Sequence, residues 1–340
     1  MRVLRSSRGG AGRRLWTLIE CDPVMDLERD TPNLFSGPYI DRRSEEREVA
    51  GWLSGALADA STRYLIGCGS AQLLSSSEGE VRTAFLQGDH PIVRSAARAG
   101  GDSSELTLLG WFRGTRCVLV DLGPDCAVEL PPATRFEELR PLVSVVAADE
   151  AGLLAYARAI LIWRRRHRFC GVCGAPTRAE RAGHVMRCSN PQCAQEFFPR
   201  IDPAIIVLVT EGERALLGRQ PSWPAGRYST VAGFVEPGES LEDAVAREVR
   251  EETGVRVRQV DYHSSQPWPF PSSLMLGFHA IAAPHSSIRV SGELADARWF
   301  TREQIASGTP TLPPPHAISF RLIAAWFDAG SAVPLATLRA

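Results

Sequence analysis

The sequence has 340 residues, 44% hydrophobic and 23% charged, an ordinary globular composition with room for two or three domains. A formal net charge of −1 excludes a global field toward nucleic acid or membrane, so any such attraction must be local. No apolar run approaches the ~18–20 residues needed to span a bilayer.

The opening stretch, MRVLRSSRGGAGRRLWTLIECDPVM, is Arg-rich and acid-poor, with a faint likeness to a transit peptide and no apolar signal core. Residues 1–24 are read as a disordered extension ahead of Met25, and the compartment as a reducing cytoplasm. Residues 25–164 are expected to form a strand-rich α+β domain. Its apolar runs Arg63–Ile66, Leu106–Phe112 and Cys117–Leu122 are punctuated by Gly, Ser and Pro, and it carries no chemical motif. Ser75-Ser76-Ser77-Glu78-Gly79 reads as a surface loop. Asp149 reads as the N-cap of a helix over Glu150–Trp163, with Leu153, Leu154, Ala157, Ile160 and Leu161 at helical spacing. The helix runs into Arg164-Arg165-Arg166-His167-Arg168. Cations suit a helix C-terminus, and both a solvated helix end and a phosphate or RNA contact remain open for this run.

Cys21, Cys68, Cys117 and Cys126 are scattered, whereas Cys170, Cys173, Cys188 and Cys193 fall in one short stretch. Under reducing conditions such a cluster points to metal rather than disulfides. The pattern is Cys-x2-Cys, fourteen residues, then Cys-x4-Cys. Two turns each presenting two thiolates build a closed tetrahedral zinc site of the structural kind, one Zn²⁺ per chain. Residues 165–200 are therefore assigned to a zinc ribbon, with a looser second turn than the usual two-residue spacing. The arginines around it (Arg178, Arg181, Arg187 and Arg200 besides the basic run) also suit a nucleic-acid-binding module.

Residues 201–340 follow as a third domain. Ala204–Thr210, Ala215–Arg219 and Tyr228–Val235 read as strands, then a helix over Ser240–Thr253. Further strands lie near Val257–Tyr262 and Leu274–Ala282, and a last helix over Ala317–Phe327 lies beyond Pro313-Pro314-Pro315. This order predicts a mixed sheet packed between helices.

Gly233-Phe-Val-Glu-Pro-Gly-Glu239 leads into that first helix, which carries Arg247-Glu248-Val249-Arg250-Glu251-Glu252-Thr253-Gly254-Val255. At about 100° per residue, Glu248, Glu251 and Glu252 share one face. Like charges there cost ~0.2–0.5 kcal/mol per close pair, which a hard divalent cation reverses. Such an ion neutralises phosphate charge and activates water. Arg247 points elsewhere and is placed to anchor Glu239. A solvated acidic helix shares this composition but not the full spacing. The stretch matches the Nudix box at every position, so the sequence resembles Nudix hydrolases. The resemblance implies an α/β/α sandwich with a mixed sheet and hydrolysis of a nucleoside diphosphate joined to another group. It also implies Mg²⁺ or Mn²⁺ held by Glu248, Glu251 and Glu252, one of them serving as base.

Ser265-Gln266-Pro267-Trp268-Pro269-Phe270-Pro271-Ser272-Ser273 follows. Three alternating prolines fix φ and remove donors, so a stiff loop is expected that holds Trp268 and Phe270 ready to stack on a base. The stretch is similar to the SQPWPFPxS signature of bacterial NADH pyrophosphatases of the NudC type, as is the order N-terminal domain, ribbon, Nudix domain. The likeness covers about residues 165–325. It implies cleavage of NAD(H) to nicotinamide mononucleotide and AMP, removal of NAD caps to leave 5′-monophosphate RNA, and a homodimer with shared sites. By the same resemblance Phe198 matches an aromatic that stacks on nicotinamide, and Phe234 joins the substrate set. Ala232 matches a backbone carbonyl at the metal, Glu293 a downstream acid at the metal, and Ser319 a small pocket residue. The alternatives are hydrolysis of other nucleoside diphosphate derivatives such as ADP-ribose, and a non-catalytic ribbon protein that binds RNA.

Overall fold

A computed structural model describes residues 2–8, 14–20, 33–77, 79–99, 105–290 and 292–339. Met1–Pro32 and Asn33–Ala340 are separate compact units. Within the first, Arg2–Arg8 pairs antiparallel with Arg14–Glu20 from Arg2 opposite Glu20 to Arg8 opposite Arg14. A hairpin thus stands where an extension without structure is expected: LWTLIE is a good strand-forming run once a second strand pairs with it.

The second unit begins with an eight-stranded sheet. Its centre is a parallel pair, Arg63–Cys68 beside Thr115–Asp121, and Leu106–Phe112 and Ala71–Ser77 flank it antiparallel. Ser75–Ser77, expected in a loop, is ladder: it pairs with Arg82, Val81 and Glu80, and only the turn beyond it reverses the chain. A disulfide joins Cys68 to Cys126, whose Cα atoms are 6.0 Å apart; spacing alone gave no partner for either.

The helix over Ala148–Arg166 lays Leu153, Leu154, Ala157 and Leu161 on this sheet. Burying each leucine contributes about 1.5–3 kcal/mol. Its N-cap is Ala147 rather than Asp149, and makes no side-chain cap bond. Asp149 instead accepts from Arg113 Nε at 2.7 Å. The basic run is not simply a solvated end. Arg164 is buried and donates to Thr107 Oγ1 at 2.7 Å, and Arg165 pairs with Asp121. Arg166 and Arg168 stay exposed.

After the ribbon, whose strands are Thr177–Glu180, Val185–Cys188 and Glu196–Phe197, comes a second mixed sheet. Its order is Val257–Trp268, Ser273–Ala282, Asp202–Glu211, Arg214–Arg219, Asp296–Thr301, with Val231–Phe234 also paired to Asp202–Glu211. The central strand explains its own composition. Ile205, Val207 and Val209 pack under the helix Leu241–Thr253, through Val245 and Val249, while Ile206 and Leu208 face the helix Ile318–Asp328, through Leu322 and Ile323. A strand covered on both faces loses polar alternation. The α/β/α sandwich follows. No helix among the described residues is long and apolar enough to cross a membrane.

Candidate metal centres and substrate cleft

The four ribbon cysteines converge, with their sulfurs all within 4.8 Å of one another. Cys170 and Cys193 Sγ are 3.7 Å apart, and Cys173 and Cys188 Sγ 3.4 Å. Ligands ~2.3 Å from one ion in a tetrahedron stand at about these separations. The ribbon holds structural zinc; the wider second spacing is taken up in a turn at Asn190, whose Oδ1 accepts from Gln192 N at 2.9 Å and whose carbonyl accepts from Cys193 N at 3.0 Å.

The helix Leu241–Thr253 starts at Ser240 with a reciprocal capping box to Asp243 and ends at Gly254 in the left-handed region. It thereby fixes the phase of its acids. Glu248 and Glu252 turn inward, with Glu252 only 8% exposed, while the Glu251 carboxylate stays open. Arg247 does tie the preceding loop down: Nε and Nη2 donate to Glu239 at 2.6 and 2.9 Å, and Nη2 to the Phe234 carbonyl at 2.9 Å. This pairing, with the Glu236 backbone amide, holds the Glu239 carboxyl down at about 2. The expectation that Arg247 points away from the acids is incomplete, because its Nη1 also lies 2.9 Å from Glu248 and 3.1 Å from Glu251.

Burial pushes the Glu252 carboxyl up to about 7, and the charges of Glu248 and Glu293 push it the same way. A buried carboxylate destabilised by two acidic neighbours is a donor set that a divalent cation completes. Glu248, Glu251, Glu252 and Glu293 line one cleft of about 860 Å³ with Ala232, Gly233, Phe234, Trp268, Phe270 and Ser273.

Behind it lies a more apolar cavity of about 560 Å³. Ala232, Glu252, Trp268 and Met275 belong to both walls. Ser319 sits in this cavity, its Oγ 2.7 Å from Ser229 Oγ and accepting from Thr230 Oγ1 at 2.9 Å. Gln266 also lines it, with its amide spent on structure: Nε2 donates to the His316 carbonyl at 3.0 Å, and Oε1 accepts from Ile318 N at 2.9 Å.

The proline-aromatic stretch is not wholly loop. Strand continues through Trp268, so Pro267 is within the ladder. Trp268 and Phe270 meet edge-on at 5.2 Å, and Phe35 meets them at 6.5 and 6.2 Å. The guanidinium of Arg158 lies 4.9 Å from the Phe270 ring centre and that of Arg140 4.8 Å from it. Pro267, Pro269 and Ser272 face away from the acidic cleft, and Pro271 lines none of these cavities. Phe198 is 55% exposed and lines neither the cleft nor the cavity.

Phe35, Arg140, Arg158, Ser229 and Thr230 were not singled out from the sequence. Phe35, Arg140 and Arg158 lie more than 100 residues from the loop they grip, and no local pattern marks them.

Three family models match consecutive segments. An NADH pyrophosphatase-like rudimentary NUDIX domain matches residues 61–163, an NADH pyrophosphatase zinc ribbon domain 165–198, and a NUDIX domain 200–327. Among curated proteins, the chain is 45% identical over 215 residues to an NAD-capped RNA hydrolase NudC of Stutzerimonas stutzeri, covering 63% of this chain and 75% of that protein. It is 42% identical over 375 residues to the human NAD-capped RNA hydrolase NUDT12, covering 95% and 78%. A NudC of Mycobacterium bovis is 40% identical over 271 residues, covering 78% and 79%. A NUDIX hydrolase crystal structure from Nitrosomonas europaea aligns with a TM-score of 0.41 at 20% identity, covering 48% of this chain and 92% of that one.

Proposed function

Because the chain belongs to the Nudix hydrolase family, in the branch of the NADH pyrophosphatases, we propose that it hydrolyses the diphosphate of NAD(H) to nicotinamide mononucleotide and AMP and removes NAD caps from RNA. The observation that carries this reading is the shared wall: an acidic cleft and an apolar cavity meet at Glu252 and Trp268. A dinucleotide needs both, one for a charged diphosphate and one for a ring.

Glu248, Glu251, Glu252 and Glu293, with the Ala232 carbonyl, would hold Mg²⁺ or Mn²⁺, which would supply charge neutralisation and an activated water. The chain's own residues do the rest. Arg247 holds the glycine turn against the helix so that Phe234 and the acids keep one geometry. Trp268 and Phe270, braced from behind, offer faces for stacking with little entropy left to lose. Glu252 is the most buried of the acids, and we assign it the proton from water.

Exposed Phe198 fits a homodimer in which it reaches the site of a second copy; sedimentation of the pure protein checks this. The matched segments favour boundaries near residues 164 and 200. The ribbon thiolates favour a cytoplasmic site of action and the Cys68–Cys126 disulfide weighs against it; fractionation decides between them.

The test is the pure protein with Mg²⁺ or Mn²⁺ and NADH. Nicotinamide mononucleotide and AMP are expected, and their absence sinks the reading. Glu252→Gln is expected to abolish turnover with the melting temperature retained. Trp268→Ala separates NAD(H) from ADP-ribose as substrate: the loss should be confined to NADH.

A further inference from the structure

Behind the Trp268 loop lies a slot of about 330 Å³ that the diphosphate reaction does not use. It opens between the helix Ala148–Arg166, the ribbon's exit and the reverse side of the proline-aromatic stretch. Ala155, Ala159, Ile160 and Leu274 give it an apolar part. Among the described residues three arginines line it, Arg42, Arg47 and Arg200, and no Asp or Glu does. Arg200 is shared with Asp202, at 2.5 Å. The guanidinium of Arg42 lies 4.1 Å from the Tyr156 ring centre, and Arg47 Nη2 donates to Tyr156 Oη at 3.5 Å. Arg47 Nε is buried without a hydrogen-bond partner. His184, also in the wall, accepts no cationic role: burial pushes its pKa down to about 4, and its Nε2 lies 2.8 Å from the Leu108 carbonyl oxygen.

We propose that this slot binds a nucleoside 5′-monophosphate, the phosphate on Arg42 and Arg47 and the base over the apolar part. The wall composition favours that chemistry. Unopposed guanidinium groups select an anion, and a flat apolar body fills the remainder. The choice of a mononucleotide rests on the proposed reaction, which releases two, AMP and nicotinamide mononucleotide; the adenine one is probed. Trp268 walls both this slot and the acidic cleft, so an occupant braces the ring from the side opposite the substrate.

The experiment is photolabelling of the full-length, zinc-loaded protein with 8-azidoadenosine 5′-monophosphate, followed by peptide mapping. Label is expected on the peptide carrying Tyr156, suppressed by AMP and not by equal adenosine, and reduced at least tenfold in Arg42→Ala. Arg42 is exposed, and this variant should keep its NADH hydrolysis, which reports its fold. No label on the Tyr156 peptide, or undiminished label there in Arg42→Ala, overturns the proposal. NADH turnover by the same preparation is read separately, so an active enzyme without that label refutes the slot alone.

Discussion

A Cβ built on Gly233 would lie 2.0 Å from Oε1 of Glu248. The glycine that opens the Nudix box therefore makes room for a carboxylate rather than for a turn. Gly233→Ala should push the Glu248 side chain aside while leaving the backbone in place. A displacement near 1 Å at a reacting centre costs on the order of 100-fold. We expect kcat for NADH to fall by about 10–100-fold with the thermal midpoint within a few degrees of wild type. Unchanged kcat would remove Glu248 from the metal set.

Arg247 joins the loop to the helix through a two-pronged contact with Glu239. Lysine offers a point charge and cannot reproduce a planar fork. Arg247→Lys should therefore recover little of the activity that Arg247→Ala loses, with both about 100-fold below wild type by the same displacement argument. Steady-state kinetics of the two variants checks this.

The ribbon thiolates should hold one zinc per chain, counted by atomic emission. Cys173→Ser is expected to lose the metal and lower the melting temperature, because binding energy at such a site is folding energy. A variant that retains full zinc would mean that the other three cysteines suffice.

His184 sets a pH limit on stability. Its folded pKa, near 4, lies below the ordinary 6.5, so the unfolded chain binds the proton first as pH falls. The associated stability is present above pH 6.5 and is lost between 6.5 and 4. The shift corresponds to about 3 kcal/mol at most. Urea midpoints should fall from pH 7.5 to 4.5 in wild type and fall less in His184→Gln.

The clamp on Phe270 should appear in binding. Arg158 sits against the ring and donates to the Pro269 carbonyl. A buried cation–π contact is worth about 2 kcal/mol. Arg158→Met should raise KM for NADH several-fold with a smaller change in kcat.

The acids and the cysteines were legible because each set repeats within a few turns of chain: a helix of known pitch places Glu248 and Glu252 on one side, and two turns bring four thiolates together. The strand Asp202–Glu211 was legible as buried, since an unbroken apolar run has no solvent face. Three features were not legible, for one physical reason. The Ser75–Ser77 ladder, the internal pairing of Arg164 and Arg165, and the grip of Arg140 and Arg158 on Phe270 all depend on partners distant in sequence. Serine runs and arginine runs look solvated until such a partner is known. The slot behind Trp268 belongs to the same class, because segments as far apart as Phe35 and Leu274 wall it.

Asn33 donates to Ser264 Oγ and to the Ser265 carbonyl, 231 and 232 residues away, and accepts from Arg321. During synthesis the first sheet and the ribbon emerge long before that partner strand does. Asn33 gains its Arg321 contact only after the helix Ile318–Asp328 has left the ribosome, so a nascent chain carrying every acid of the cleft still lacks that contact and the Ile318–Ser319 wall of the apolar cavity. Competence in this protein is then a property of the completed chain, and fragments that keep the Nudix box should bind dinucleotide poorly however well they fold.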